Sequence, residues 1–197
     1  MTAEISGISF EEFLHRFDGR HAEWVDGKAI VMSPASDRHQ DVVGFLAGLL
    51  RVFVEANELG ALRTAPFLMR ITHDSPGREP DLLFVAREHQ MRLKRSLLAG
   101  PADLVIEIIS PESRTKDRRE KFYEYEAGGV TEYWLIDPGR EQANFYFLDD
   151  AGTYRAAGIE NGVFRSRVLR GLWLRIDWLW QDPLPPLLAV LREWKLV

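Results

Sequence analysis

At 197 residues, 46% of them hydrophobic, the chain can bury a core of its own and is expected to form one domain over 1–197. It has no cysteine, which excludes disulfides and thiolate metal sites, so any metal must be held by Asp, Glu, His and backbone oxygens, a set that favours hard cations. A net charge of -5 argues against a protein coated in positive charge while leaving room for a local basic patch, and no apolar run approaches the roughly 20 residues that span a bilayer, so a cytoplasmic location without membrane contact is expected.

In chain order, "ISFEEFLHRF" has a Ser9 cap, early glutamates, and Phe10, Phe13, Leu14 and Phe17 at helical spacing, which predicts a short amphipathic helix. "AEWVDGKAIVMS" predicts two short strands turning at Asp26-Gly27. From His39 to Glu55 a broad apolar face that includes Val42, Leu46, Leu49 and Phe53 predicts a long core helix. "ALRTAPFLMRI" and "DLLFVA" are strand-like on either side of the polar "THDSPGREP". "ADLVIEIIS" is the most apolar strand; its lost alternation predicts a central place in a sheet covered on both faces. "TKDRREKFYEYEAGG" predicts a helix closed by Gly128 or Gly129, and "TEYWLID" another strand, so that Asp103 to Asp137 forms a parallel crossover. The C-terminal 140–197 segment predicts an antiparallel meander and a proline-bounded final helix. The fold class expected is α/β, a mixed sheet flanked by helices.

One residue does not belong in this pattern. Glu107 stands in the middle of the apolar run "LVIEIIS", where a carboxylate loses several kcal/mol of hydration unless paired, hydrogen-bonded or bound to a metal. Upstream, Asp81 follows Pro80 at the mouth of "DLLFVA". If the two strands lie side by side, the acids meet, and they repel unless a proton or a divalent cation is shared between them. Oxygen-only ligation with retained waters suits Mg²⁺ or Mn²⁺.

Taken in order, "EPDLLFVA", "ADLVIEIISPES" and "DRREKFYEYEAGGVTEYWLIDP" resemble the Uma-type putative restriction endonucleases, a branch of the PD-(D/E)XK nuclease superfamily. "AEWVDGKAIVMSPASDRH" and "GLWLRIDWLW" extend the resemblance over most of the chain. It implies a restriction-endonuclease-like fold and a divalent-metal-dependent endonuclease that hydrolyses phosphodiester bonds of nucleic acid, double-stranded DNA above all. Asp81 takes the place of the motif aspartate and Glu107 that of the acidic residue, both as metal ligands for Mg²⁺ or Mn²⁺. Glu23 in "AEWVDG" matches an accessory acid, with an ordinary polar residue on a half-exposed hairpin as the alternative.

The superfamily usually sets its lysine two residues after the acid, on the same strand face, and here that position is Ile109. In this branch a lysine of the following helix serves instead, which points to Lys121 in "REKFYEY", with Lys116, Arg118 and Arg119 as competitors. Without the resemblance, Glu107 reads equally as a structural ion pair with an arginine or with Lys121, Asp81 as a turn cap, and Lys121 as a solvated helix lysine. His39, beside Asp37 at a helix start, reads as structural, and Asp137 as the opening of the "DPGR" turn. Ser110 and Ser113 lack a histidine partner in their motif, so serine nucleophile chemistry has no support.

"SRTKDRREK" and "REHQMRLKR" are basic stretches suited to phosphates or simply solvated. The aromatic segment with Trp173, Trp178 and Trp180 reads as local core or as a homodimer face. The competing functions are a non-cleaving nucleic-acid-binding or scaffolding protein of the same fold, and a hydrolase of small phosphoesters.

Overall fold

A computed structural model describes residues 3–109 and 117–197. Ser110, Ser113 and Lys116, and with them the Arg118 side chain, lie outside the described residues.

The first strand β1 (Ala3–Ser6) precedes helix α1 (Phe10–Arg16), whose Ser9 side chain accepts the Glu12 N–H at 3.1 Å as the sequence predicts. Strands β2 (Ala22–Val25) and β3 (Lys28–Val31) follow as a hairpin. Asp26 and Gly27 both have positive φ, 49° and 74°, the twist that a two-residue turn between antiparallel strands requires. The long helix α2 (Asp37–Ala56) buries Val42, Phe45, Leu46, Leu49, Leu50 and Phe53.

The stretch "ALRTAPFLMRI" is two strands, β4 (Gly60–Thr64) and β5 (Leu68–Arg70), because Pro66 interrupts the ladder. The polar loop after it contains a two-residue strand, β6 (Gly77–Arg78), before β7 (Leu82–Ala86). The basic "REHQMR" is a 3-10 turn (Arg87–Arg92), followed by β8 (Leu97–Ala99) and β9 (Leu104–Ile108). A π-helical turn (Asp117–Lys121) runs into helix α3 (Phe122–Gly128), which Gly129 closes in the left-handed region at φ 82°. Strands β10 (Glu132–Asp137), β11 (Gln142–Leu148), β12 (Tyr154–Ala156), β13 (Val163–Arg165) and β14 (Trp173–Arg175) lead to the final helix α4 (Leu187–Glu193).

The architecture is mixed α/β, as expected, but its strands divide between two six-stranded sheets and a small hairpin. One sheet has the order β1-β3-β2-β6-β5-β8, the other β12-β11-β10-β9-β7-β4, and β13 pairs with β14. Strand β9 is central in the second sheet, parallel to β10 and antiparallel to β7, so the predicted crossover exists. Its two faces have separate cores. Leu104, Ile106 and Ile108 pack with α2 and the C-terminal segment, whereas Val105 and Ile109 pack with Tyr125 of α3 and Tyr133 of β10.

The tryptophans of the C-terminal segment belong to the first of these cores: Trp178 is buried, and Trp173 and Trp180 are half-buried against it. They pack on local core, one of the two readings that the sequence left open. Among the described residues no helix is long and apolar enough to cross a membrane.

Candidate active site at the β7–β9 edge

Strand alternation puts Glu107 on the face of β9 that carries Val105 and Ile109, beneath α3. In the β7–β9 ladder Leu82 faces Ile106 and Leu83 faces Val105, so one more step sets Asp81 opposite Glu107. The Asp81 carboxylate confirms the approach by accepting the Ile108 N–H at 2.7 Å. His39, from the start of α2, stands 3.2 Å from the same carboxylate.

Lys121 reaches Glu107 from the helix: its Nζ lies 2.8 Å from Glu107 Oε1 and 3.0 Å from Glu23 Oε1. Four residues on, and hence on the same helix face, the Tyr125 hydroxyl donates to that Glu107 oxygen at 2.9 Å. Burial raises the Tyr125 pKa and the neighbouring Glu107 charge raises it further, so the hydroxyl stays a donor. Two residues after Glu107 on the same strand face, Ile109 is packed among hydrocarbon and aromatic rings.

Glu23 is not a half-exposed hairpin residue. It is fully buried, sharing one oxygen with Lys121 and the other with Arg78 Nη1 at 2.9 Å. The four residues singled out in the sequence, Asp81, Glu107, Lys121 and Glu23, are thus brought to one place, from β7, β9, the helix and the hairpin of the other sheet.

Three neighbours carry no signal of their own in the sequence. Arg78, from the two-residue strand β6, is 2% exposed. Burial would lower its pKa, but its ion pairs with Glu124 and Glu23 outweigh that and raise it. Glu79 is buried with Oε2 accepting the Ala22 N–H at 2.8 Å. Its Oε1 has His21 Nδ1 at 2.9 Å, yet at an angle that makes no hydrogen bond. Burial, with Glu23 and Asp81 adding repulsion, pushes the Glu79 carboxyl up to about 8, against the pull of the Ala22 N–H and Lys121. Tyr125 is the third, through its hydroxyl bond to Glu107.

His39 is at the site after all, against Asp81, while Asp137 opens its turn as expected by accepting the Arg140 N–H at 3.1 Å. The stretch Arg87–Arg92 leaves the opposite end of β7 from Asp81, roughly 17 Å away at the rise of a strand, so it does not flank the site. Arg119 is exposed on the helix that carries Lys121.

For a metal, the available donors are hard oxygens: two opposed carboxylates, one of them on Asp81, whose side chain keeps 18% of its surface exposed. Among the described residues no group of three or more His, Asp or Glu side chains is gathered as a metal cluster. A cation that takes one or two carboxylates and keeps several waters, as Mg²⁺ does, fits this set; a metal needing a full protein cage does not.

A family model described as Uma2, putative restriction endonuclease, matches residues 10–177. Among solved structures the chain is similar to the crystal structure of a putative nuclease belonging to DUF820 from Anabaena variabilis ATCC 29413. The identity is 18% and the TM-score 0.70, over 88% of this chain and 97% of that one, which is a likeness of fold. None of the curated proteins matches.

Proposed function

The chain belongs to the Uma2 family, described as putative restriction endonucleases, and from that membership and the grouping of Asp81, Glu107, Lys121 and Glu23 we propose that it is a divalent-metal-dependent endonuclease acting on the phosphodiester bonds of double-stranded DNA. The observation that carries this reading is the Lys121 ammonium 2.8 Å from Glu107, delivered by the helix to a strand face whose own lysine position is filled by Ile109.

In this proposal Asp81 and Glu107 hold Mg²⁺ or Mn²⁺, which when bound neutralises phosphoryl charge and sharpens a water nucleophile. The remaining work falls to the chain. Lys121 presents a fixed positive charge where negative charge develops on the phosphate, an arrangement that costs no reorganisation during reaction. Tyr125 donates to Glu107 and the Ile108 N–H donates to Asp81, so both carboxylates are oriented before any ligand arrives. Glu23 steadies the ammonium from the other side.

A second reading, a nucleic-acid-binding protein that keeps the fold without cutting, is favoured by one observation: Lys121 is already paired with two carboxylates. The two are separated by incubating the protein with plasmid, linear duplex, single-stranded DNA and RNA in Mg²⁺ or Mn²⁺ and in chelator. Cleavage of duplex DNA with metal and none with chelator is the expected outcome. Retention of all four substrates uncut, with duplex DNA bound, would establish the second reading.

A further inference from the structure

Arg78 holds no strand acid of the β7–β9 pair, yet it is among the largest fully buried side chains of the protein. Its guanidinium grips three carboxylates, from β2, from the π-helical turn and from α3. Nη1 lies 2.9 Å from Glu23 Oε2, Nε 2.6 Å from Glu124 Oε2, Nη2 2.5 Å from Glu124 Oε1, and Nη2 3.6 Å from Glu120. The Glu124 contact is the two-pronged pairing that a planar guanidinium makes and an ammonium cannot.

Both grips end at Lys121. Glu23, held by one oxygen, receives the Lys121 ammonium on its other oxygen at 3.0 Å. Glu124 lies in the first turn of α3, directly after the π-helical turn that ends at Lys121, so fixing it fixes the backbone from which the lysine stem departs. We propose that Arg78 is a positioning residue that clamps both the carboxylate receiving the Lys121 ammonium and the helix carrying its stem, and so holds that charge at Glu107.

The reason such a brace is needed is where the lysine stands. A stem carried by a helix meets the strand acid only while that helix keeps its place against the sheet, and ordering the stem has a rotamer cost. A displacement of about 1 Å in a group that must meet a developing charge can lower a rate by roughly a hundredfold. Moving the cation from strand to helix therefore calls for a second support, and Arg78 spans the gap between the first sheet and the helix to supply it.

This inference rests on the reading of Lys121 as the site's cation, and its test has one arm that needs no activity. Buried, paired lysine ammonium groups exchange slowly enough to give a proton–nitrogen signal, and comparison with Lys121→Met assigns the one from Lys121. That signal is recorded for the native chain, Arg78→Gln and Glu124→Gln, together with kcat and KM for metal-dependent cleavage.

The expected result is a protected Lys121 signal in the native protein that is shifted or lost in both variants. With it, kcat falls about tenfold or more while KM stays within about twofold, since a misplaced charge affects the transition state more than binding. In a Lys121→Ala background, Arg78→Gln should lower kcat no further. Unchanged Lys121 signals in the variants, or equal losses of kcat with and without Lys121, would overturn the inference. Glu124→Gln alters a partly exposed side chain and decides the matter if Arg78→Gln does not fold. If the native protein cuts nothing, the nuclease reading fails, and the ammonium signal still decides whether Arg78 holds Lys121.

Discussion

Lys121 is nearly as buried as the hydrocarbon around it, with an ammonium between Glu23 and Glu107. Its removal therefore has two effects. It strips from the proposed site the charge that would stabilise the phosphate, and it leaves Glu107 with the Tyr125 hydroxyl alone among the donors just described. Breaking a buried pair by removing one partner costs about 3–5 kcal/mol. Because Arg78 continues to pair with Glu23, Lys121→Met is expected at the lower end, near 3 kcal/mol, in a denaturant titration. Ile109→Lys tests the same charge from the strand. The side chain would emerge beside Glu107, and in the Lys121→Met background it should restore part of the lost cleavage rate; no recovery in a variant that folds would mean that the strand position no longer opens on the site.

Asp81 and Glu107 make a separate prediction. A cation that binds only the folded state raises its stability, by about 2.7 kcal/mol at a hundredfold excess over Kd. Thermal melts should shift upward in Mn²⁺ for the native protein and stay put for Asp81→Asn. The acids were legible because each contradicts its surroundings: a glutamate in an unbroken apolar strand, an aspartate at the mouth of another. Arg78 was not legible. It sits in "SPGREP", a stretch that reads as loop, and its burial comes from carboxylates on the hairpin and on α3, far away in sequence.

Among the elements, those with a local signature were readable, whether a period, an unbroken apolar run, a cap or a turn pair, and those without one were not. Helix α2 declares itself over twenty residues, and β9 by its loss of alternation, whereas β6 has two residues and no period at all. The joint between β10 and the C-terminal segment depends on another buried acid. Glu132 accepts the Trp134 indole N–H at 2.6 Å on one oxygen, and on the other the Ser166 hydroxyl and the Arg167 and Val168 N–H groups. Burial raises its pKa, with those donors pulling it back only in part.

A carboxyl with a raised folded-state pKa binds its proton more tightly folded than unfolded. Its contribution to stability is therefore greatest below the ordinary carboxylate value and falls as pH rises from there through the raised one. Glu132→Gln should lose that segment of the pH dependence. It should also be less stable, by about 1–3 kcal/mol, because an amide cannot accept from both sets of donors. Melting curves across the acid range check both; an unchanged pH slope in the variant would show that Glu132 does not carry it.

For the whole molecule, the division into two sheets is what builds the site. The first sheet delivers Glu23 and Arg78, the second Asp81 and Glu107, and the crossover helix Lys121 and Tyr125. A single sheet, as the sequence suggested, would have had no neighbouring β2 and β6 from which Glu23 and Arg78 could buttress a helix-borne lysine. Membership of the Uma2 family makes cleavage of nucleic acid the activity to look for. The most direct measurement is the rate at which plasmid DNA is nicked in Mg²⁺ by the native protein, Glu107→Gln and Lys121→Ala, side by side at equal binding. The account predicts cleavage by the native protein, none by Glu107→Gln, and a loss of about a hundredfold or more in Lys121→Ala. Native-like cleavage by Lys121→Ala, or cleavage that persists in Glu107→Gln, would contradict it.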